Sequence, residues 1–137
     1  MVILLTAVLS AVAVNQFVDF SGDAKIATTK ERLLELKMAI SGDPRLVAGG
    51  AYVKPGFIAD VGSVPTALDD LTAQGAYAVY NPFTKRGWRG PYISTTDPNW
   101  NKDSWGTVIQ FNSASRTITS CGKNGTCRNA DDISVSF

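Results

Sequence analysis

Apolar residues fill the first fourteen positions, MVILLTAVLSAVAV, without one charge. As a helix rising ~1.5 Å per residue, that run is ~21 Å long, short of a ~30 Å hydrocarbon core. Three readings are open for it. It is a secretory signal peptide, since Ala11-Val12-Ala13 has the form of an A-x-A cleavage site, although no Lys or Arg precedes the run. It is a buried core helix. Or it is part of a membrane segment whose first residues precede Met1.

The pattern continues past the run without a turn. Val14, Phe17 and Val18 extend an apolar face, and Ile26, Leu33, Leu36 and Ile40 recur at spacings near three, four and seven. Lys30, Glu31, Arg32, Glu35 and Lys37 occupy the other face. Arg32 and Glu35 at i,i+3 are expected to add tenths of a kcal/mol, offset by like charges on Glu31 and Glu35. Gly42 and Pro44 stop the helix. The spacing therefore predicts one helix from residue 1 to about 41, ~60 Å long, apolar all round at first and amphipathic later. Gly22 is a weak point, costing ~1 kcal/mol relative to Ala. The rest of the chain is too small to cover such a helix, so its N-terminal half is expected to project into lipid or neighbouring subunits.

The texture then changes. Residues 44–64 are loop-rich, with Gly49-Gly50 and Pro55-Gly56. PTALDDLTAQGA predicts a short helix, with Thr66 as N-cap, Asp69 three residues on and Gly75 as the stop. Asp69 and Asp70 read as first-turn charges on the helix dipole rather than a catalytic pair. Thr107 to Phe111 and Arg116 to Ser120 predict a hairpin around Asn112-Ser113-Ala114-Ser115, and Ile133 to Phe137 a further strand. This is an α+β layout: a long N-terminal helix, then a small antiparallel sheet with irregular loops.

Composition narrows the chemistry. The chain has 137 residues, one domain's worth, and a formal net charge of +1. The charge gives no argument for nucleic acid. It has no histidine, which excludes a His-dependent triad and argues against ordinary His/Cys zinc sites. The two cysteines, Cys121 and Cys127, share the loop SCGKNGTCRNADDI with Asp131 and Asp132. That loop has three readings: a redox site, a metal site or a structural clasp. C-x-x-C spacing is absent, which disfavours redox chemistry. A secreted enzyme using Asp103, Asp131 and Asp132 for acid/base work lacks a histidine and any nucleophile motif. The expectation is a protein that is not an enzyme.

Five stretches in order resemble the type IV pilin-like family, and most closely the major pseudopilins of type II secretion systems. MVILLTAVLSAVAVNQF resembles their N-terminal helix just after its usual Phe-and-Glu start. Val64-Pro65-Thr66 with Leu71 and Gln74-Gly75 resembles a Y-P-T segment and short helix. Trp88-Arg89-Gly90-Pro91-Tyr92-Ile93 resembles W-x-G-P-Y-L. Asp103-Ser104-Trp105-Gly106 with Ile109-Gln110-Phe111 resembles D-P-W-G-x-x-Y-x-Y. SCGKNGTCRNADDI resembles a terminal loop that begins S-x-G-x-D-G and closes on aspartates before an isoleucine. The early glutamate and the helix-interrupting proline of the family are absent; Asn15 or Gln16 stands near the proline's place.

The resemblance implies a lollipop fold, a long N-terminal α-helix packed on a small antiparallel sheet with a C-terminal clasp loop. Residues 1–22 would be the membrane and filament-core half of the helix, and residues 23–137 a periplasmic or extracellular head. It implies a structural subunit polymerising into a helical pseudopilus for type II secretion. Val2, Leu4, Leu5, Val8, Leu9, Val12, Val14 and Phe17 would form the filament core. The alternative is a type IV pilin in a surface fibre for adhesion, motility or DNA uptake, a reading the two loop cysteines favour. Implied partners are other copies of the chain, the bacterial inner membrane before assembly, minor pseudopilins and the secretion machinery. The family's N-terminus is methylated.

In the family the terminal loop binds calcium. Carried over, the ligands are Asn124, Asp131 and Asp132 by side chain, with carbonyls from Cys121 and Thr126; Asn124 stands where the family has an aspartate. Outside the cytoplasm Cys121 and Cys127 are expected to form a disulfide, closing a ring worth about 2–3 kcal/mol and supplementing or replacing the metal. The mass of the protein from native membranes or filaments checks the N-terminal reading. It should exceed this sequence by about seven mostly apolar residues and gain ~2 Da on reduction. A chain beginning at Val14 would remove the filament reading.

Overall fold

The computed structural model describes residues 2–137, with side chains described from Ser21 onward. The order is α1 (Val2–Ser41), β1 (Val47–Ala48), β2 (Ala51–Tyr52), α2 (Gly56–Val61), a 3-10 turn (Leu68–Leu71), β3 (Gln110–Asn112), β4 (Thr117–Ser120) and β5 (Ile133–Ser136). β1 and β2 form a two-stranded antiparallel ribbon, and β3-β4-β5 a three-stranded antiparallel sheet.

The class is α+β, but the expected long helix packed on a sheet is corrected. The helix described with its side chains is 21 residues, from Ser21 to Ser41, and it packs on α2 and loop residues as well as on β4 and β5. Its buried stripe is Thr29, Leu33, Leu36 and Ile40, the i, i+4, i+7, i+11 face of a helix. That stripe belongs to one core with Phe57 of α2, Leu68 and Leu71 of the 3-10 turn, Ile93, Ile109 and Ile118. The physical reason is strand length. Strands of two to four residues cannot form a layer wide enough to cover a helix, so loops and short turns complete the core. Among the described residues no helix is long and apolar enough to cross a membrane. The apolar run and the filament-core residues named above lie outside the described side chains.

Thr29 is where the head begins. Residues 21–28 are exposed or half-exposed, and Ile26, expected on the apolar face, is 37% exposed. From Thr29 onward the face is covered. Gly42 ends the helix with φ +94, its N–H reaching Met38 O at 2.9 Å, the left-handed cap that glycine adopts without a steric penalty. The returning chain crosses directly over it: a Cβ on Gly42 would lie 2.8 Å from Pro55 O, and one on Gly56 would collide with the Gly42 backbone.

Two local expectations shift. The loop-rich stretch holds α2, six residues with Phe57 fully buried and Gly62 (φ +88) as C-cap. The helix expected at Thr66 is one 3-10 turn, and Asp70, not Asp69, closes its start. Asp70 Oδ2 accepts from Thr66 N (2.7 Å), Thr66 Oγ1 (2.8 Å), Ala67 N (3.2 Å) and Tyr77 Oη (2.9 Å). Arg32, expected to pair with Glu35, instead reaches across to the 97–102 loop. It donates to Asp97 Oδ2 at 3.0 Å, Lys102 O at 3.0 Å and Asn99 O. The start of the expected 107–111 strand pairs with that loop through Lys102 and Val108, which leaves β3 three residues long.

Partial burial pushes the Asp70 carboxyl upward, and its four hydrogen bonds outweigh that, holding it below the ordinary value. Its stabilising contribution is therefore complete above the ordinary carboxylate pKa of about 3.9 and is lost as pH falls through the lower native value. Asp70→Ala should cost about 1 kcal/mol at neutral pH, the usual magnitude for a lost cap. Thermal melts at descending pH check this: the gap between wild type and variant should close at the acid end.

Candidate functional site

The C-terminal loop that carries the candidate chemistry is fixed from three directions. Cys121 and Cys127 are joined by a disulfide, with Cα atoms 4.3 Å apart. Cys121 is 3% exposed, so the ring is rooted in the core while its far side faces solvent. Gly122 (φ +67) packs against Asp131, where a Cβ would collide with the Asp131 carbonyl. That approach lays the outgoing and returning arms of the loop side by side.

Asn124 and Asp131 join the two arms. Asp131 Oδ1 accepts from Asn124 Nδ2 at 2.9 Å, and Asp131 Oδ2 from Asn124 N at 3.1 Å. Asn124 Oδ1 in turn accepts from Thr126 N at 2.7 Å. Asp132 serves a different part of the loop: its Oδ2 accepts from Arg128 N at 2.7 Å, where Arg128 has φ +73. The Thr126 carbonyl accepts from Asn129 Nδ2. Asp132 Oδ1 is buried without a partner.

The structure thus brings Asn124 and Asp131 together and holds Asp132 apart on Arg128. Calcium takes about six to eight oxygen ligands turned toward one point. Here N–H groups already face both oxygens of Asp131, and the Asn124 and Thr126 oxygens accept from neighbours. In this arrangement the loop does not fit the ion; one orphaned oxygen on Asp132 is far from a coordination sphere. Among the described residues no group of three His, Cys, Asp or Glu side chains is placed to hold a metal.

Asp103, singled out above for acid/base work, and Ser120 anchor the loop. Asp103 is 5% exposed. Its Oδ1 accepts from Trp105 N at 3.0 Å and Thr107 N at 2.9 Å, and its Oδ2 from Ser120 Oγ at 2.6 Å. Ser120 Oγ, fully buried, also accepts from Gly122 N at 3.2 Å. One carboxylate thereby shapes the 103–107 turn and fixes the first residues of the clasp. The D-S-W-G order carried a signal, since an Asp three residues before a Gly favours an Asx-type turn. Nothing local pointed to Ser120 as its other partner.

A second concavity, a cleft of about 470 Å³, lies between the end of α1, the 53–60 segment and the 89–92 segment. Two ion pairs line it, beside Glu35 and Lys54. Arg89 pairs with Asp60 at 3.0 Å and Arg45 with Asp43 at 2.9 Å, and Tyr92 Oη donates to Asp60 at 3.1 Å. Burial, helped by Asp60, pushes the Tyr92 hydroxyl up to about 12. Asp60 and Asp43 are thus engaged in ion pairs, and the Tyr92 phenol stays neutral near neutral pH.

No family model, no curated protein and no solved structure matches the chain.

The Asp103 anchor has a measurable cost. Asp103→Ala leaves the Ser120 hydroxyl and two backbone N–H groups without their charged acceptor, and should lower stability by about 3 kcal/mol. Urea denaturation checks it; a loss under about 1 kcal/mol would mean that the loop is held by other contacts.

Proposed function

We propose that this chain is a structural subunit of a helical pseudopilus filament serving type II protein secretion, polymerising through its apolar N-terminal segment. The observation that carries the reading is the boundary at Thr29. The head is closed from that residue onward, yet the preceding turns of α1 are bare and lead back in sequence to an uncharged apolar run. A run of apolar residues that long favours burial against lipid or against other copies. Before assembly the segment would anchor the subunit in the bacterial inner membrane with the head in the periplasm. After extraction, the same segments would bury one another. A contact between different surfaces of successive copies does not close on itself and gives a helical fibre. The head would provide the outer surface, minor pseudopilins the tip, and a separate ATPase the driving force. The ordered motif resemblance supports the type II secretion role in particular.

The Cys121–Cys127 disulfide favours a second reading, a type IV pilin in a surface fibre, because a cysteine-closed C-terminal loop is a habit of pilins. Deleting the gene distinguishes them. Under the pseudopilus reading, secreted proteins accumulate in the periplasm and surface fibres are unchanged. Under the pilin reading, the fibres disappear and secretion continues. Ile26→Asp tests assembly itself. It places a charge on the bare part of α1 and should abolish filaments seen by electron microscopy, while the denaturation midpoint of the head stays within error of wild type. Filaments of normal number and length from this variant would count against helix-mediated polymerisation.

A further inference from the structure

We propose that the Asn124 side chain takes the place of a cation in the C-terminal loop, so that the clasp closes without metal and the charge at position 124 decides whether it needs calcium. The inference is independent of whether the chain polymerises.

The argument begins with Asp131. Its carboxylate, half-buried, stands between the two arms of a tight loop, against Gly122, and donors from the facing arm hold it there. The residue opposite supplies two donors. Asn124 directs its amide Nδ2 to Oδ1 and its backbone N to Oδ2, at 2.9 and 3.1 Å. Hydrogen bonds to an ionised acceptor are about twice as strong as neutral ones. The pair therefore clamps the carboxylate through both oxygens, as a bound cation would.

The amide's orientation is fixed from its other end. Asn124 Oδ1 accepts from Thr126 N at 2.7 Å, so exchanging the amide oxygen and nitrogen would set an N–H2 against an N–H and an oxygen against a carboxylate. The network itself determines which atom faces Asp131. The disulfide then does the remaining work of a clasp, joining the same two arms from Cys121 to Cys127. Gly122 lets the arms approach to contact. The second carboxylate, Asp132, is taken by Arg128 N, so two negative charges do not converge on one point.

Substituting Asp for Asn at position 124 reverses this. The isosteric carboxylate would put two anionic groups at hydrogen-bond distance, and like charges so close cannot both remain ionised without a cation between them. A hard divalent ion would then have two carboxylates and the nearby carbonyls to bind.

The test uses the full chain in detergent, oxidised, melted with excess chelator and with calcium at about 1 mM, where extracellular calcium modules are filled. Wild type should melt at the same temperature in both, and calorimetric titration should show no saturable calcium binding. Asn124→Asp should melt lower than wild type in chelator and rise by several degrees with calcium. Asn124→Ala, which removes the donor without adding charge, should melt lower than wild type and ignore calcium. A calcium-dependent rise in wild type, or saturable binding in the micromolar range, would overturn the proposal even if the aspartate variant failed to fold. So would an aspartate variant that folds and melts like wild type in chelator.

Discussion

The crossing of Gly42 and Gly56 is the constraint on which the rest of the head depends. Helix α1 ends in a left-handed glycine, the chain runs out through the β1-β2 ribbon, and it returns over the same point with a second glycine in contact. A side chain at either position would force the two backbones apart. Because they touch, α2 begins directly on the end of α1, and Phe57 enters the core with Leu33, Leu36 and Ile40. Burying side chains of that size contributes about 1.5–3 kcal/mol each. Tyr77 and Tyr92 then meet the Phe57 ring edge-on at 5.1 and 5.6 Å, and Trp88 meets Tyr92. A chain of aromatic contacts thus extends from one backbone crossing.

Most of the head between that crossing and the three-stranded sheet is irregular, and its loops are held by side chains rather than by ladders. Each tether is a charged group bonded to backbone or to a partner distant in sequence. Arg32 ties the 97–102 loop to α1. Asp60 ties Arg89 and Tyr92 to α2. Asp70 closes the 3-10 turn, and its carbonyl receives the Trp88 indole N–H at 2.9 Å. Asp103 ties the 103–107 turn to β4. Polar backbone must find partners somewhere; where strands are too short to provide them, Arg32, Asp70 and Asp103 do so, while Asp60 joins side chain to side chain. The 98–105 loop is thereby part of the head's wall, with Ser104 bonded to Thr29 where the head begins.

A head built this way presents an outer surface tied by long-range contacts and a closed C-terminal loop. Under the proposed filament role, the exposed turns of α1 before Thr29 would adjoin the part of the helix that changes environment. A disulfide-and-amide clasp would also keep the last strand in place wherever the calcium concentration varies.

The α+β class, the stop at Gly42, the hairpin about residues 112–115 and the third strand near the C-terminus were legible in the sequence, because periodicity and turn chemistry are local. Leu33, Leu36 and Ile40 declared their burial by spacing alone. Other features were not legible. PGFIADVG carried a Pro-to-Gly signature for α2, but six residues are too few for a periodic signal. Ile26 shared the apolar spacing yet stands outside the head, since spacing cannot say where a helix stops being covered. Arg32 had a partner within reach on its own helix and took three others more than sixty residues away. In the clasp, the sequence by itself determined the groups available: two cysteines, an asparagine and two adjacent aspartates in one short loop. Only the tertiary structure decided that Asp131 faces Asn124 while Asp132 faces Arg128. That division depends on Gly122 bringing the arms together and on Asp103 and Ser120 fixing where the loop begins, and those contacts join residues that no local rule connects.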